Sequence, residues 1–290
     1  GCFASAPNEN GIYRVEQQYY KQRTALRETS IENLARKMKA VVSGELPGER
    51  DIYYSIIPDK NYFADNPQDE PFDYERMLEI LQRDLPDYDY IHLFPALTLE
   101  DYYQTDLHWR QEKLQGVVDA LGETMGFSID LDGWDRQSYD SFTGSYGKLA
   151  SGTVEPETLS YLTSEATENA VMDHYQNPDI HHVYDTAKLD SDSPYEVFLS
   201  GPSPFLTIEG EVGNGRKLLI FGDSFSSSLA PLLLETYSYI TVVDLRFLDS
   251  SLLGDFLSDE GEDVLFLYSA LVANNSEMLK VQLAKPDSGS

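Results

Sequence analysis

Apolar residues recur along this chain in two rhythms. Short apolar runs bounded by turn residues alternate with stretches in which apolar positions return every three or four residues; the runs read as buried strands and the spacing as amphipathic helices. Residues 12–43 read as helix, with Leu26, Ile31, Leu34, Met38 and Val41 on one face and Gly44 and Pro47-Gly48 as the stop. Asp51 to Pro58 then reads as a strand closed by proline, Asp73 to Arg83 as a helix ending before Pro86, Tyr90 to Phe94 as a strand, and Gln111 to Gly122 as a helix. Downstream, Tyr195–Leu199, Lys217–Phe221, Ile240–Val243 and Val264–Tyr268 read as strands, with a helix over 225–237.

Strands alternating with helices in this way indicate an α/β domain around a mostly parallel sheet. From about Ser128 to Ser200 the pattern weakens and acids, Gly, Ser and Tyr interrupt every run, so this stretch reads as an irregular insertion. The chain is expected to be a single domain over 12–280, with a flexible N-terminal segment over 1–11 and a disordered tail over 281–290.

Composition narrows the partners. The 290 residues carry 50 acids against 21 bases, a net charge of −29. Phosphate recognition rests on clustered Lys and Arg, so nucleic acid is not an expected partner. The same charge disfavours docking on an anionic membrane surface. No apolar run approaches the roughly 20 residues that span a bilayer. Cys2 is the single cysteine, which rules out an intrachain disulfide. Its place in Gly1-Cys2, before the loose stretch Phe3 to Gly11, looks like the mature end of a bacterial lipoprotein with Cys2 as lipid anchor. That reading implies an exported protein of the cell envelope or extracellular space.

The candidate chemistry lies in two separated segments. In Gly222-Asp223-Ser224-Phe225 a serine follows an apolar run and opens the expected helix 225–237. A serine there can cap the helix. It can also present its hydroxyl at the carboxyl edge of the sheet, beside unpaired N–H groups able to hold an oxyanion. Far upstream, Asp106 and His108 are two residues apart, a spacing that puts both on one side of an extended segment. The carboxylate would fix the imidazole tautomer and leave the other ring nitrogen free to take a proton from a hydroxyl. Asn274 or Asn275 is a candidate side-chain oxyanion donor, Gly222 and Asp223 brace the turn, and Arg246 is a candidate for the rim. His181-His182 with Asp185 lack a converging third ligand, because neighbouring residues in a strand point to opposite faces. No metal and no cofactor is therefore expected.

Together, Tyr102 to Trp109 (YYQTDLHW) and Gly222 to Phe225 (GDSF) resemble the signature of the bacterial DHHW family. They also resemble the SGNH-hydrolase-like proteins of alginate O-acetylation, which share an Asp-x-His motif. Ile57-Pro58-Asp59-Lys60, the Tyr195-to-Gly201 segment and Val243 to Arg246 are similar to family segments too, so the resemblance runs from about residue 12 to residue 275. It implies an SGNH-hydrolase-like three-layer α/β sandwich, with Ser224 as nucleophile, His108 as general base and Asp106 as its orienter. The family's name-giving first histidine is Leu107 here, which leaves the Asp-x-His pair intact. The acid and base also precede the serine, opposite to ordinary SGNH hydrolases, although geometry rather than order defines a triad.

The implied activity is a serine esterase or O-acetyltransferase acting on a carbohydrate, with a glycan and an acyl donor as partners. A non-catalytic scaffold that binds a glycan or an envelope protein is the competing expectation. A weaker one is anion binding at the Gly222–Ser224 turn.

Overall fold

In the strand Lys217–Gly222, Leu218 and Ile220 belong to one hydrophobic core and Leu219 and Phe221 to another. That strand sits inside a sheet covered on both faces, and the period-two alternation of side chains feeds the two cores. The structure, a computed structural model, describes residues 5–64, 66–257 and 262–283. Cys2 and residues 284–290 of the expected tail lie outside that range.

The strands are β1 (Ile12–Val15), β2 (Gln18–Lys21), β3 (Ile52–Ile57), β4 (Asp89–Tyr90), β5 (Asp135–Phe142), β6 (Glu157–Thr163), β7 (Val171–His174), β8 (Phe205–Glu209), β9 (Lys217–Gly222), β10 (Tyr239–Val243) and β11 (Asp263–Ser269). Seven of them form the central sheet in the order β4-β3-β11-β9-β10-β8-β7. β4, β3, β11, β9 and β10 run parallel, whereas β8 pairs antiparallel with both β10 and β7. The helices α1 (Glu28–Glu45) and α2 (Tyr74–Asp84) cover one face through Ile31, Leu34, Met38, Met77 and Ile80. The helix α3 (Gln115–Met125) and the turn Ala230–Glu235 cover the other through Val117, Leu121, Leu232 and Leu233. Each such apolar side chain taken fully out of water contributes about 1.5–3 kcal/mol, an upper figure because unfolded chains are partly compact. No helix among the described residues is long and apolar enough to cross a membrane.

Four sequence expectations change. The helix expected over 12–43 is a β1–β2 hairpin followed by α1. Tyr13, Tyr19 and Tyr20 are buried at strand register, and Glu16 turns the chain at φ 55°. The strand expected at 195–199 is a 3-10 turn over Pro194–Val197, started by the ring-fixed φ of Pro194. The helix expected over 225–237 shortens to Ser226–Leu229 and continues as 3-10 through Ala230–Glu235, because Pro231 cannot donate to the helical ladder. The strand expected over 90–94 is reduced to Asp89–Tyr90, with Ile91 still donating its N–H to the Tyr54 carbonyl, and Phe94–Ala96 turns at Pro95.

The expected insertion is partly ordered sheet. β5 and β6 pair as an antiparallel hairpin, and β7 extends the central sheet. Residues 5–11 are hydrogen-bonded to the body: the Asn8 side chain donates to the Leu149 carbonyl at 2.8 Å and accepts from the Ile12 N–H.

Candidate active site

β9 delivers Gly222 to the carboxyl edge of the parallel strands, the end at which open α/β sheets hold their ligands. A Cβ on Gly222 would stand 2.9 Å from the Leu267 carbonyl oxygen of β11, so only glycine lets the two strand ends close. The next residue, Asp223, is buried, and its two oxygens accept from the N–H groups of Phe225 (3.1 Å) and Ser269 (2.7 Å). Burial pushes its pKa above the usual carboxylate range, against the lowering effect of those N–H groups. Asp223 thus ties the turn to β11 while Ser224 is left facing a cavity of about 280 Å³.

The Asp106–His108 segment is built quite differently from the serine turn. Tyr102 and Trp109 bridge across a tight loop, and the Tyr103 N–H donates to the His108 carbonyl at 3.1 Å. Within it, Asp106 and His108 meet in a turn rather than an extended strand. One Asp106 oxygen, Oδ2, accepts from the His108 backbone N–H (3.1 Å) and lies 2.6 Å from His108 Nδ1. The other, Oδ1, accepts from both the N–H and the hydroxyl of Ser145, each at 2.9 Å. Burial opposes the Asp106 charge, but His108 and these donors outweigh it and hold the carboxyl well below its ordinary pKa. An ionised carboxylate only accepts, so the proton is assigned to Nδ1, and Nε2 is left to accept. Nε2 lies 2.7 Å from Ser224 Oγ.

The structure therefore brings Ser224, His108 and Asp106 into one hydrogen-bonded chain, although His108 and Ser224 are 116 positions apart in sequence. Trp109 fixes the two segments together by donating its indole N–H to the Phe225 carbonyl (3.1 Å) and the Ser228 hydroxyl (2.9 Å). Tyr195 stacks its ring on His108 with centroids 3.8 Å apart and donates its hydroxyl to the Ser224 carbonyl at 2.8 Å.

The β5–β6 hairpin, in the supposed insertion, supports the acid. Glu157 accepts from the Gln104 and Thr105 N–H groups and from the Thr105 hydroxyl. Behind the loop the buried Lys60 donates to the carbonyls of Tyr103 (2.7 Å), Gln104 (3.2 Å) and Asp106 (3.3 Å). Burial brings the Lys60 pKa down to about 7, despite the opposing pull of Glu157 and Asp106. A free lysine keeps its proton to about 10.4, so between pH 7 and that value the unfolded chain binds more protons than the folded one. Stability from this group rises with pH over that window. Lys60→Met is expected to cost about 3 kcal/mol by stripping three carbonyls of their donor. In thermal melts the gap in Tm between wild type and Lys60→Met should widen from pH 7 to pH 9; a constant gap would count against the lysine as its origin.

Asn274 is not part of this site. It caps the Ala270–Ala273 turn and faces α1, accepting from the Arg27 N–H (2.7 Å) and donating to the Ala25 carbonyl (3.0 Å). Asn275 likewise donates to its own turn, at Leu271. Arg246 lines the cavity and at the same time forms a bidentate pair with Asp244, the shorter contact being 2.7 Å. His181 and His182 diverge toward Asp173 and Glu168, and Asp185 accepts from the Ser200 hydroxyl. Among the described residues no three such side chains converge as metal ligands. Gly144 and Ser145 carry no motif in the sequence, and Tyr195 lies in a segment similar to family segments but without a signal that ties it to His108 or Ser224.

A protein from Eubacterium siraeum, a DHHW family member of known structure, superposes on this chain with a TM-score of 0.78 at 18% identity, covering 97% of this chain and 98% of its own. The chain has the fold of a DHHW family protein. That DHHW fold also aligns with Bacillus cereus PatB1 solved with a sulfonyl adduct (TM-score 0.68, 18% identity, 96% of this chain and 97% of that one). The O-acetyltransferase domain of Pseudomonas putida AlgJ aligns at a TM-score of 0.50 and 10% identity, over 94% of this chain and 93% of that domain. No family model and no curated protein matches the sequence itself.

Proposed function

We propose that this protein is a serine-dependent O-acyl esterase or O-acetyltransferase acting on a cell-envelope or extracellular carbohydrate. The observation that carries the reading is the unbroken chain Ser224 Oγ–His108 Nε2 and His108 Nδ1–Asp106 Oδ2, at 2.7 and 2.6 Å, on the wall of one cavity. The shared fold with an O-acetyltransferase domain supports the acyl chemistry, and a relative captured with a sulfonyl adduct suggests the probe.

In the reaction, Ser224 Oγ attacks the acyl carbonyl as its proton passes to His108 Nε2. The bond to the leaving alkoxide breaks, and His108 returns that proton to it. Asp106 stays ionised and holds the imidazolium that forms between the two steps. The acyl-serine is then attacked by water or a sugar hydroxyl, which gives its proton to His108 and restores Ser224. The backbone N–H of Ser224 is the proposed oxyanion donor, with Gly222 and Asp223 setting the turn's shape; the N–H groups of Phe225, Ser226 and Ser227 already donate within the turn.

The test uses an arylsulfonyl fluoride and an activated acetyl ester. Wild-type protein is expected to hydrolyse the ester and to gain a single sulfonyl group, mapped to Ser224 by peptide mass spectrometry. Neither an adduct nor turnover of any acyl ester, with retained glycan binding, would support a non-catalytic scaffold instead.

A further inference from the structure

We propose that Tyr195 is the residue that positions the His108 imidazole, a role that rests on the reading of His108 as general base. Two hydrogen bonds, at Nδ1 and at Nε2, fix the imidazole along the line between Asp106 and Ser224. They leave the ring free to swing about that line. The Tyr195 ring lies flat against it at a 9° interplanar angle with 3.8 Å between centroids and sets its plane, while the Phe225 ring packs on it tilted by 54° at 4.9 Å. The same side chain reaches the other half of the site: its hydroxyl donates to the carbonyl oxygen of Ser224 itself at 2.8 Å and lies 3.4 Å from the Ser228 hydroxyl. One residue thus sets both the plane of the base and its distance from the nucleophile's backbone.

The ring has a second effect during the reaction. When Nε2 takes the serine proton, the imidazole becomes cationic while an aromatic face lies well inside the roughly 6 Å range of cation–π attraction. Burial keeps the Tyr195 hydroxyl protonated, so it acts as a donor and an uncharged ring, not as a base.

The backbone is held for this purpose. Leu199, Ser200 and Gly201 follow one another at φ 55°, 58° and 82°, and two of the three are not glycine. Such residues persist only where the surroundings over-determine them, and they cluster at functional sites. Here the Ser200 hydroxyl donates to Asp185 (2.6 Å), the Asn177 amide donates to the Ser200 carbonyl (3.1 Å), and Lys188 pairs with Glu196 at 3.3 Å. The turn they fix returns the chain past the cavity with Tyr195 against His108.

Tyr195→Phe keeps the ring and removes the hydroxyl, whereas Tyr195→Leu removes both. On an activated acetyl ester, Tyr195→Leu should lower kcat by about tenfold to thirtyfold with KM within about twofold, and Tyr195→Phe should restore most of the loss. Should leucine leave the chain unfolded, Tyr195→Met, which fills space without a ring face, carries the same expectation.

A second readout does not depend on turnover. The Nδ1 proton held between His108 and Asp106 should give a far-downfield proton NMR resonance in wild type and Tyr195→Phe, broadened or lost in Tyr195→Leu. Unchanged kcat and an intact resonance in Tyr195→Leu would overturn the proposal, as would equal losses in the Phe and Leu variants. If wild type turns over no ester, the catalytic reading fails, and the resonance alone still decides whether Tyr195 positions the ring.

Discussion

Ser224→Ala is expected to lower kcat/KM on an activated acetyl ester by about 10⁴-fold, leaving only the contribution of binding and oxyanion contacts. In the proposed mechanism the Ser224 Oγ is the atom that forms and breaks a bond to the acyl group. Of the hydroxyls that follow it in the turn, Ser226 donates to the Asp223 carbonyl at 2.6 Å and Ser228 is engaged by Trp109, so neither faces His108 as Ser224 does. The change should leave the fold intact, because Ser224 contributes its side chain only to His108. Tm should stay within a degree or two, and the arylsulfonyl adduct should vanish. Turnover within threefold of wild type would remove Ser224 as the nucleophile and, with it, the proposed mechanism.

The second large effect comes from a residue with no chemistry of its own. A Cβ on Gly144 would stand 2.7 Å from Asp106 Cγ and closer still to Asp106 Cβ. Neither side can yield cheaply. The Gly144 N–H donates to the Thr105 hydroxyl at 2.9 Å, and the next residue, Ser145, supplies both donors to Asp106 Oδ1. Gly144→Val is therefore expected to cost about 3 kcal/mol or more, a fall in Tm on the order of 6–12 °C. Because the displaced carboxylate no longer aligns the imidazole, turnover should fall by about 100-fold even in protein that remains folded. Melting curves and ester kinetics on one preparation separate the two effects. A variant with wild-type Tm and wild-type turnover would show that the loop carrying Gly144 moves aside freely.

The parts of the fold legible in sequence were those whose burial is locally periodic. β3, β9, β10 and β11 are apolar runs because both faces of a parallel sheet are covered, and α2 shows its apolar stripe between a proper cap at Asp73 and Pro86. The hairpin β1–β2 was illegible because its tyrosines satisfy helical and strand spacing alike. The helix after Ser224 was overextended because its apolar content is high while Pro231 limits its ladder.

For the site, Asp106, His108 and Ser224 stood out by residue type and by resemblance, and the structure places them in contact. Their supports stand out less: Lys60 and Tyr195 lie in segments similar to family segments, but their contacts, like those of Gly144 and Ser145, act across long sequence separations, where neither spacing nor propensity carries information. Asn274 shows the reverse failure: its place after β11 was read correctly, but the short turn of Ala270–Ala273 carries it to the α1 side.

The position of β11 has a consequence for how the chain must assemble. This last strand, Asp263–Ser269, is not at the margin of the sheet but in its middle, between β3 and β9. A chain made as far as residue 257 already contains Asp106, His108 and Ser224, yet β3 still has no neighbour to join it to β9. Two half-sheets with open edges then wait for one late segment to zip them together, an ordering that favours slow, all-or-none completion. Because Ser269 of that segment also holds Asp223 beside Ser224, the serine turn takes its final shape only once β11 is in place. Without β11 the turn that carries Ser224 lacks that brace.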